Sequence, residues 1–365
     1  MNKYTLPTGY LFTEKYDKGE LETLSIGDYG KPFNVKADFL GQTKPLNGVP
    51  NTWCMPLSEK WVITVSTQYG CPMRCAFCDV PSVPWRGNAT FSDLQKQMYN
   101  AISLFPETSY SERVNLHFAR MGDPIFNSAV FEFAKWCYTN KRQIHNDTGL
   151  RIETFHPVLT TSLPRKYKQL EARILEWCDI KNNHYNGQAG LQFSINSTNE
   201  NQRSEMFAGL SLTLEQFSVI ADRMPDPLSR KYCLNFAFSS DYEIDAEKVA
   251  RLFDADKFMC KITPIHNNNA CRDNDIKTSG GYDSFTPYAT AEHDLKKAGF
   301  DVLVFVPSLD EEYGLVTCGN AILGGSELKT DTQVIKIHCV SRGAASKQRK
   351  WALIVSVTIN LTFWQ

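Results

Sequence analysis

The chain of 365 residues lacks several things that would each have named a class of protein. It lacks net charge: 39 Lys and Arg balance 40 Asp and Glu, leaving −1, so no global basic field advertises a nucleic-acid binder. No apolar run approaches the ~20 residues that cross a bilayer, so no membrane partner is expected. The opening MNKYTLPTGYLF has neither the apolar stretch nor the small-residue cleavage site of a signal peptide. Eleven cysteines, an odd number, in such a chain read as thiols and ligands rather than as a disulfide framework. A reducing cytoplasm is the expected compartment. Short-period repeats and low-complexity tracts are also missing.

What the chain does contain is a regular alternation of strand and helix patterns. WVITVS (61–66) is a β-rich run, followed by strands expected near 114–119, 152–160, 189–195, 231–238, 258–264 and 301–306. Ser92 opens the first helix with Gln95 completing a capping box, Leu94, Met98, Ala101, Ile102 and Phe105 form its apolar face, and Pro106 stops it. Further helices are expected over NSAVFEFAKWCY and near 165–178, 213–224, 246–254 and 287–298. Strands separated by helices pair in parallel through right-handed crossovers, which predicts a partial (β/α)6 TIM-like barrel. Residues 1–58 read as a small N-terminal β extension packed on the barrel, 59–323 as the core, and 324–365 as a C-terminal extension without a functional reading. SKQRK (346–350) is read there as a solvated basic surface.

In such an architecture chemistry collects where the strands end. GCPMRCAFC (70–78) follows the first strand and sets Cys71, Cys75 and Cys78 in a C-x₃-C-x₂-C array. Met121-Gly122-Asp123-Pro124, Thr160-Thr161-Ser162, Ser194-Ile195-Asn196 and His266-Asn267-Asn268-Asn269 close or follow four other strands. A structural zinc site wants four ligands, and no second Cys pair or H-x₃₋₅-H partner lies downstream. Three closely spaced thiolates instead suit a [4Fe–4S] cluster with one iron left open, and three ordinary neighbouring thiols are the bland alternative.

The cysteine array, with Phe77 before its last member, resembles that of the radical S-adenosylmethionine enzymes. VSTQYGCPMRCAFC, ARMGDPIFN, VLTTS, FSINSTNENQR, CKITPIHNN and TCGN also occur in the order and spacing of the RlmN/Cfr family, over roughly residues 60–323. Those enzymes methylate an adenine carbon in ribosomal RNA and, for some, transfer RNA. The resemblance implies a barrel of the radical S-adenosylmethionine type. It implies two cofactors: a [4Fe–4S] cluster on Cys71, Cys75 and Cys78, and S-adenosyl-L-methionine bound at its open iron and cleaved to a 5′-deoxyadenosyl radical. It implies an RNA partner (rRNA or tRNA) and a reductant such as flavodoxin or ferredoxin.

Residue by residue, the resemblance puts Gly122 and Asp123 at the cofactor's amino group, with Asp in place of the family's Glu. Thr160, Ser194 and Asn196 fall at its ribose and adenine, and Asn268 at the adenine side. Such Ser, Thr and Asn residues also commonly satisfy loop backbone. Arg203 falls on a family arginine, although a solvated helix-edge residue explains it equally well. Cys318, in Cys318-Gly319-Asn320, matches the cysteine that accepts and presents a methyl group; the ordinary reading is a buried free thiol.

The chain departs from the family at other points. Thr64 stands where the family has its second catalytic cysteine, and the region of the general-base glutamate falls near Asn51, with Cys54 and Asp38 as nearby substitutes. Arg120 replaces a glycine. Seventy residues before Cys71 leave no room for the family's accessory RNA-binding domain. Two other readings therefore stand beside RNA methylation. One is a radical enzyme acting on a nucleotide or small metabolite without a methylated cysteine, and the other is a non-catalytic metal-binding module.

Overall fold

A computed structural model of the chain describes residues 1–29, 35–43, 54–277, 285–307, 309–317 and 319–328. Its centre is a mixed α/β arrangement around one thirteen-stranded sheet. Seven strands run parallel and in chain order: β1 (Trp61–Val65), β2 (Tyr110–Phe118), β3 (Arg151–Thr161), β4 (Gly190–Ser194), β5 (Tyr232–Phe238), β6 (Phe258–Pro264) and β7 (Val302–Phe305). All seven coincide with the strands expected from periodicity.

Antiparallel strands extend this sheet at both edges. Asn2–Leu6, Gly9–Tyr16 and Gly19–Tyr29 form a meander whose last strand pairs with β1, Leu24 lying opposite Thr64. At the other edge Val35–Ala37 pairs with β7. The N-terminal residues were expected as a separate small sheet packed on the barrel. They instead continue the central sheet, because β1 offers an unpaired edge whose backbone donors and acceptors need partners.

One face of the parallel strands is dry. Trp61, Ile63 and Val65, then Val114, Leu116 and Phe118, then Leu191, Phe193, Leu234 and Phe236 are buried under the crossover helices. Phe193 meets Phe217 of the helix Leu214–Arg223 at 4.5 Å between ring centroids. Burying each such side chain contributes about 1.5–3 kcal/mol. The one polar atom that Trp61 brings inside is satisfied, its indole N–H donating to Ser25 Oγ at 3.0 Å.

The helices differ from expectation mainly at their ends. The first runs Phe91–Ser103, and its capping box is Thr90 with Asp93, two residues before the expected Ser92–Gln95 pair. Thr90 wins because its backbone is extended, so Oγ1 accepts from Asp93 N while the Asp93 carboxylate takes the Thr90 N–H. The helix expected at 165–178 starts at Leu170, after Pro164 and a turn. The helices Lys141–Thr148, Glu200–Met206 and Asn269–Asp273 carry no apolar period long enough to be read from sequence.

Candidate active site

The loop leaving β1 is pinned before it reaches the cysteines. Gln97, fully buried on the first helix, accepts from Ser66 N at 2.8 Å and donates to Ser66 O at 3.0 Å. Thr67 N and Gln68 N then both donate to Met121 O, which joins the end of β1 to the end of β2. Gly122 sits at that junction with φ +90°, and a Cβ there would lie 2.5 Å from Gln68 Cβ. Only glycine lets the two loops approach so closely.

Beyond it, Cys78 N closes a turn on Cys75 O at 3.2 Å, and Ala76 N donates to Met206 O. Phe77 packs edge-on against Phe207 with centroids 5.6 Å apart. Met73, Cys75, Met206, Phe207, Ile265 and Cys271 make an apolar wall on which Cys71 and Cys78 also lean. Cys75 is buried; Cys71 and Cys78 are partly exposed, and all three are free thiols.

Burial pushes the Cys71 thiol up to about 12, and the Asp123 charge adds to it. Cys75 is also raised, by burial first and then by the nearness of Cys71, Cys78 and Asp123, with the Ser162 hydroxyl acting the other way. These thiols therefore become thiolates only against a compensating positive charge, as metal ligands do. Among the described residues no three His, Cys, Asp or Glu side chains are grouped to hold a single metal ion. Donor chemistry and a water-poor wall suit a cluster that spreads three thiolates over three irons.

Asp123 is buried, and its carboxylate is already engaged. Oδ1 accepts from Ile125 N at 3.1 Å, and Oδ2 accepts from Ser162 N at 2.7 Å and Thr161 Oγ1 at 3.1 Å. Burial outweighs these three donors and raises its pKa to about 6. A carboxylate has about four acceptor directions, so one remains for a ligand ammonium. Asn268 is more fully spent: its amide donates to Phe77 O at 2.9 Å and Gly319 O at 3.1 Å, and its oxygen caps the short helix at Cys271 N. In this structure Asn268 fastens the cysteine loop to residue 319.

The other two strand ends behave differently. Thr160 Oγ1 lies 3.5 Å from Gln192 Oε1, which also accepts from Asn235 Nδ2 at 2.8 Å. Ser194 presents its carbonyl to Arg203 at 3.3 Å. Asn196, with φ +62°, accepts from Ala237 N through Oδ1, while its buried Nδ2 has no hydrogen-bond partner. A buried donor left unpaired costs about 1–3 kcal/mol, and an acceptor on a ligand would recover it. Adenine nitrogens and ribose oxygens are such acceptors.

Arg203 is not a solvated helix-edge residue. It is 2% exposed, donates to the carbonyls of Ser194, Ile195 and Leu212, and lies over the Phe207 ring at 5.2 Å. Burial lowers its pKa to about 10. It braces the end of β4 against the cysteine wall.

Cys318 lies outside the described residues, as does Asn51. The neighbours of Cys318 are anchored: Thr317 O accepts from Arg120, and Gly319 O accepts from Asp79 N at 2.9 Å as well as from Asn268. Thr64 is buried within β1, level with Leu24 and His117. Asp38 is exposed and paired with Lys296. The strand pairing sets Cys54 opposite Tyr29. Asp79 belongs to this site and was not among the expected site residues. Asp79 is buried and binds Ala270 N and the Ser326 hydroxyl, a role visible only once those segments are brought together.

No protein-family model matches the chain. It is 30% identical over 94 residues to a probable dual-specificity RNA methyltransferase RlmN of Chlorobaculum tepidum, covering 26% of this chain and 25% of that one. It is 25% identical over 224 residues to another from Chlorobium phaeobacteroides, covering 60% and 56%. An RlmN of Sulfurimonas denitrificans is 29% identical over 105 residues, covering 27% and 29%. The chain thus spans little more than half the length of the curated relatives it matches, or less. A solved radical SAM methyltransferase from Sphaerobacter thermophilus has the same fold, with a TM-score of 0.52 at 16% identity over 83% of this chain and 75% of that one. The resemblance to RlmN stands, at low identity.

Proposed function

We propose that this chain is a radical S-adenosylmethionine enzyme that methylates an adenine carbon of RNA. In this reading the seven parallel strands are the wall of a partial barrel. The observation that carries it is the convergence of three apolar-walled thiols with Asp123 at the ends of two strands, beside which Asn196 leaves an unpaired amide after β4. Cys71, Cys75 and Cys78 would hold the [4Fe–4S] cluster, which with bound S-adenosylmethionine supplies one-electron cleavage chemistry. Asp123 would take the cofactor's ammonium through its remaining acceptor direction, and Gly122 keeps the loop close enough for it to do so. Asn196 would donate to the adenosine, while Thr160 and Ser194 line the approach. Met206, Phe207 and Ile265 keep water from the reacting centre. Cys318 would carry the methyl group. A flavodoxin- or ferredoxin-like reductant and a cytoplasmic setting belong to the same reading.

Thr64 supports a second reading. A threonine hydroxyl cannot form the disulfide that would release a substrate held on Cys318. In this reading the same scaffold serves a nucleotide or small metabolite without methyl transfer through cysteine.

Anaerobic reconstitution followed by mass spectrometry of cofactor products, with and without RNA, tests both. RNA-dependent formation of S-adenosylhomocysteine together with 5′-deoxyadenosine supports the first reading. RNA-independent 5′-deoxyadenosine with a small-molecule acceptor supports the second. Full iron content and turnover in a Cys75→Ala protein would remove both.

A further inference from the structure

The face of the sheet turned away from the crossover helices carries positive charge that the site above does not use. Side chains alternate along a strand, so Arg113, Asn115 and His117 of β2 share the face opposite Val114, Leu116 and Phe118. His156 of β3 lies level with Asn115 on that same face. Lys60 immediately precedes β1, and Arg230 stands two residues before β5. Lys60, Arg113 and Arg230 therefore lie toward the N-terminal ends of the strands, with His117 nearer their C-terminal ends. Arg113 is five residues upstream of Phe118, roughly 17 Å below the mouth where the cysteines sit.

Two polar atoms there are buried and unpaired, Arg113 Nε and Asn115 Oδ1. Among the described residues neither Arg113 nor Arg230 is ion-paired with a carboxylate. The charges act on one another instead. His156 is held down to about 4 by burial and then by Arg113, Arg230 and Lys60; Arg230 is lowered by burial, the Cys233 thiol acting the other way and Arg113 adding to the lowering. No carboxylate opposes them at either group. Arg230 is exposed, and the charges of Arg113 and His156 reach it.

We propose that Arg113, Arg230 and His156, in the field of Lys60, form an anion site that takes a phosphate group. A guanidinium presents paired N–H donors that match two oxygens of a phosphate, and two guanidinia can hold three oxygens between them. His156, kept neutral, donates one further N–H. A half-turn of the Asn115 amide replaces its unpaired acceptor with a donor. A phosphate dianion would offset like charges that otherwise repel one another. The site is separate from the cysteine mouth and stands whether or not the methyltransferase reading does.

The test is a titration of the intact protein with sodium pyrophosphate against sodium chloride at matched ionic strength, read by the NMR signal of His156 and by melting temperature. Pyrophosphate is expected to move the His156 midpoint up from about 4 toward the ordinary 6.5 and to raise the melting temperature. Arg113→Gln/Arg230→Gln is expected to weaken pyrophosphate at least ten-fold. It should not melt below the wild type, since it relieves repulsion, and Arg230→Gln alone is a surface change that keeps the test open. A single-stranded oligoribonucleotide forms the second arm. Competition with pyrophosphate assigns the site to backbone phosphates, whereas its absence assigns it to a free phosphate or phosphomonoester. An unmoved His156 signal, or equal affinity in the double variant, overturns the proposal. No readout depends on the cluster, so failure here leaves the proposed activity untouched.

Discussion

Arg120 and Glu22 form an ion pair inside the protein, with 1% and none of their side chains exposed. Arg120 Nε donates to Glu22 Oε1 at 2.7 Å, and Nη1 reaches Leu315 O at 2.7 Å and Thr317 O at 3.3 Å. The second Glu22 oxygen accepts from Leu323 N at 3.2 Å. One pair therefore ties the N-terminal meander, the end of β2 and both arms of the segment 315–323. The family resemblance puts a glycine at position 120; here an arginine supplies the clasp.

Removing one partner of such a pair leaves a buried charge, which costs about 3–5 kcal/mol. Arg120→Ala is expected to lower the unfolding free energy by that order in urea titrations. Glu22→Leu/Arg120→Met should lose much less, because neither charge is left behind. In both variants hydrogen exchange of the 314–325 peptide is expected to rise, since its carbonyl anchors are gone. Unchanged exchange there would mean that the segment is held by other contacts.

Asn196 offers a cleaner probe of the proposed cofactor site. Its Nδ2 is buried without a partner, and its positive φ is tolerated by Asn and Asp. Asn196→Asp keeps shape and backbone but turns the donor into an acceptor. Loss of one hydrogen bond, at about 0.5–1.5 kcal/mol, corresponds to roughly a three- to ten-fold weaker S-adenosylmethionine affinity. Calorimetry on anaerobically reconstituted protein measures it. Equal affinity in the two proteins would place the cofactor elsewhere.

The parallel core was readable because each buried strand is a short, nearly continuous apolar run such as WVITV or VLVF bounded by helix patterns. The cysteine loop was readable because its three thiols lie within eight residues of one another in sequence. The braces were not. Arg203 looks like any amphipathic helix arginine until Ser194, Ile195 and Leu212 carbonyls surround it. Asp79 and Glu22 bind partners 247 and 301 residues away, and no local pattern encodes such pairings. The edge strands were misjudged for the same reason, since pairing with β1 or β7 is a property of the whole sheet.

Acid stability should report on the inner face of the sheet. His156, facing Arg113, Arg230 and Lys60, has a folded pKa of about 4 against an ordinary 6.5. Above pH 6.5 it is neutral folded or unfolded and contributes nothing pH-dependent. As pH falls from 6.5 toward 4 the unfolded chain takes up a proton that the folded chain refuses, so stability declines by on the order of 2 kcal/mol. His156→Gln removes that step. Urea titrations at pH 7 and pH 4.5 are expected to show a smaller loss in the variant, and parallel losses would mean that other groups dominate.

The methyl-carrying role of Cys318 can be settled on the protein itself. Its neighbours Thr317 and Gly319 are fastened by Arg120, Asp79 and Asn268, and Asp79 directly follows Cys78 in the chain. If it accepts a methyl group, peptide mass spectrometry of protein incubated with S-adenosylmethionine and reductant is expected to find one added methyl on Cys318. Thr64 cannot release a substrate bonded to Cys318, so with RNA present a protein–RNA adduct should accumulate. Thr64→Cys, a near-isosteric change at a buried position of β1, is expected to shorten the adduct's lifetime. An unmodified Cys318 together with normal turnover of Cys318→Ala would transfer the case to the small-metabolite reading. In that outcome Thr64 is an ordinary strand residue, since nothing remains for a second thiol to resolve.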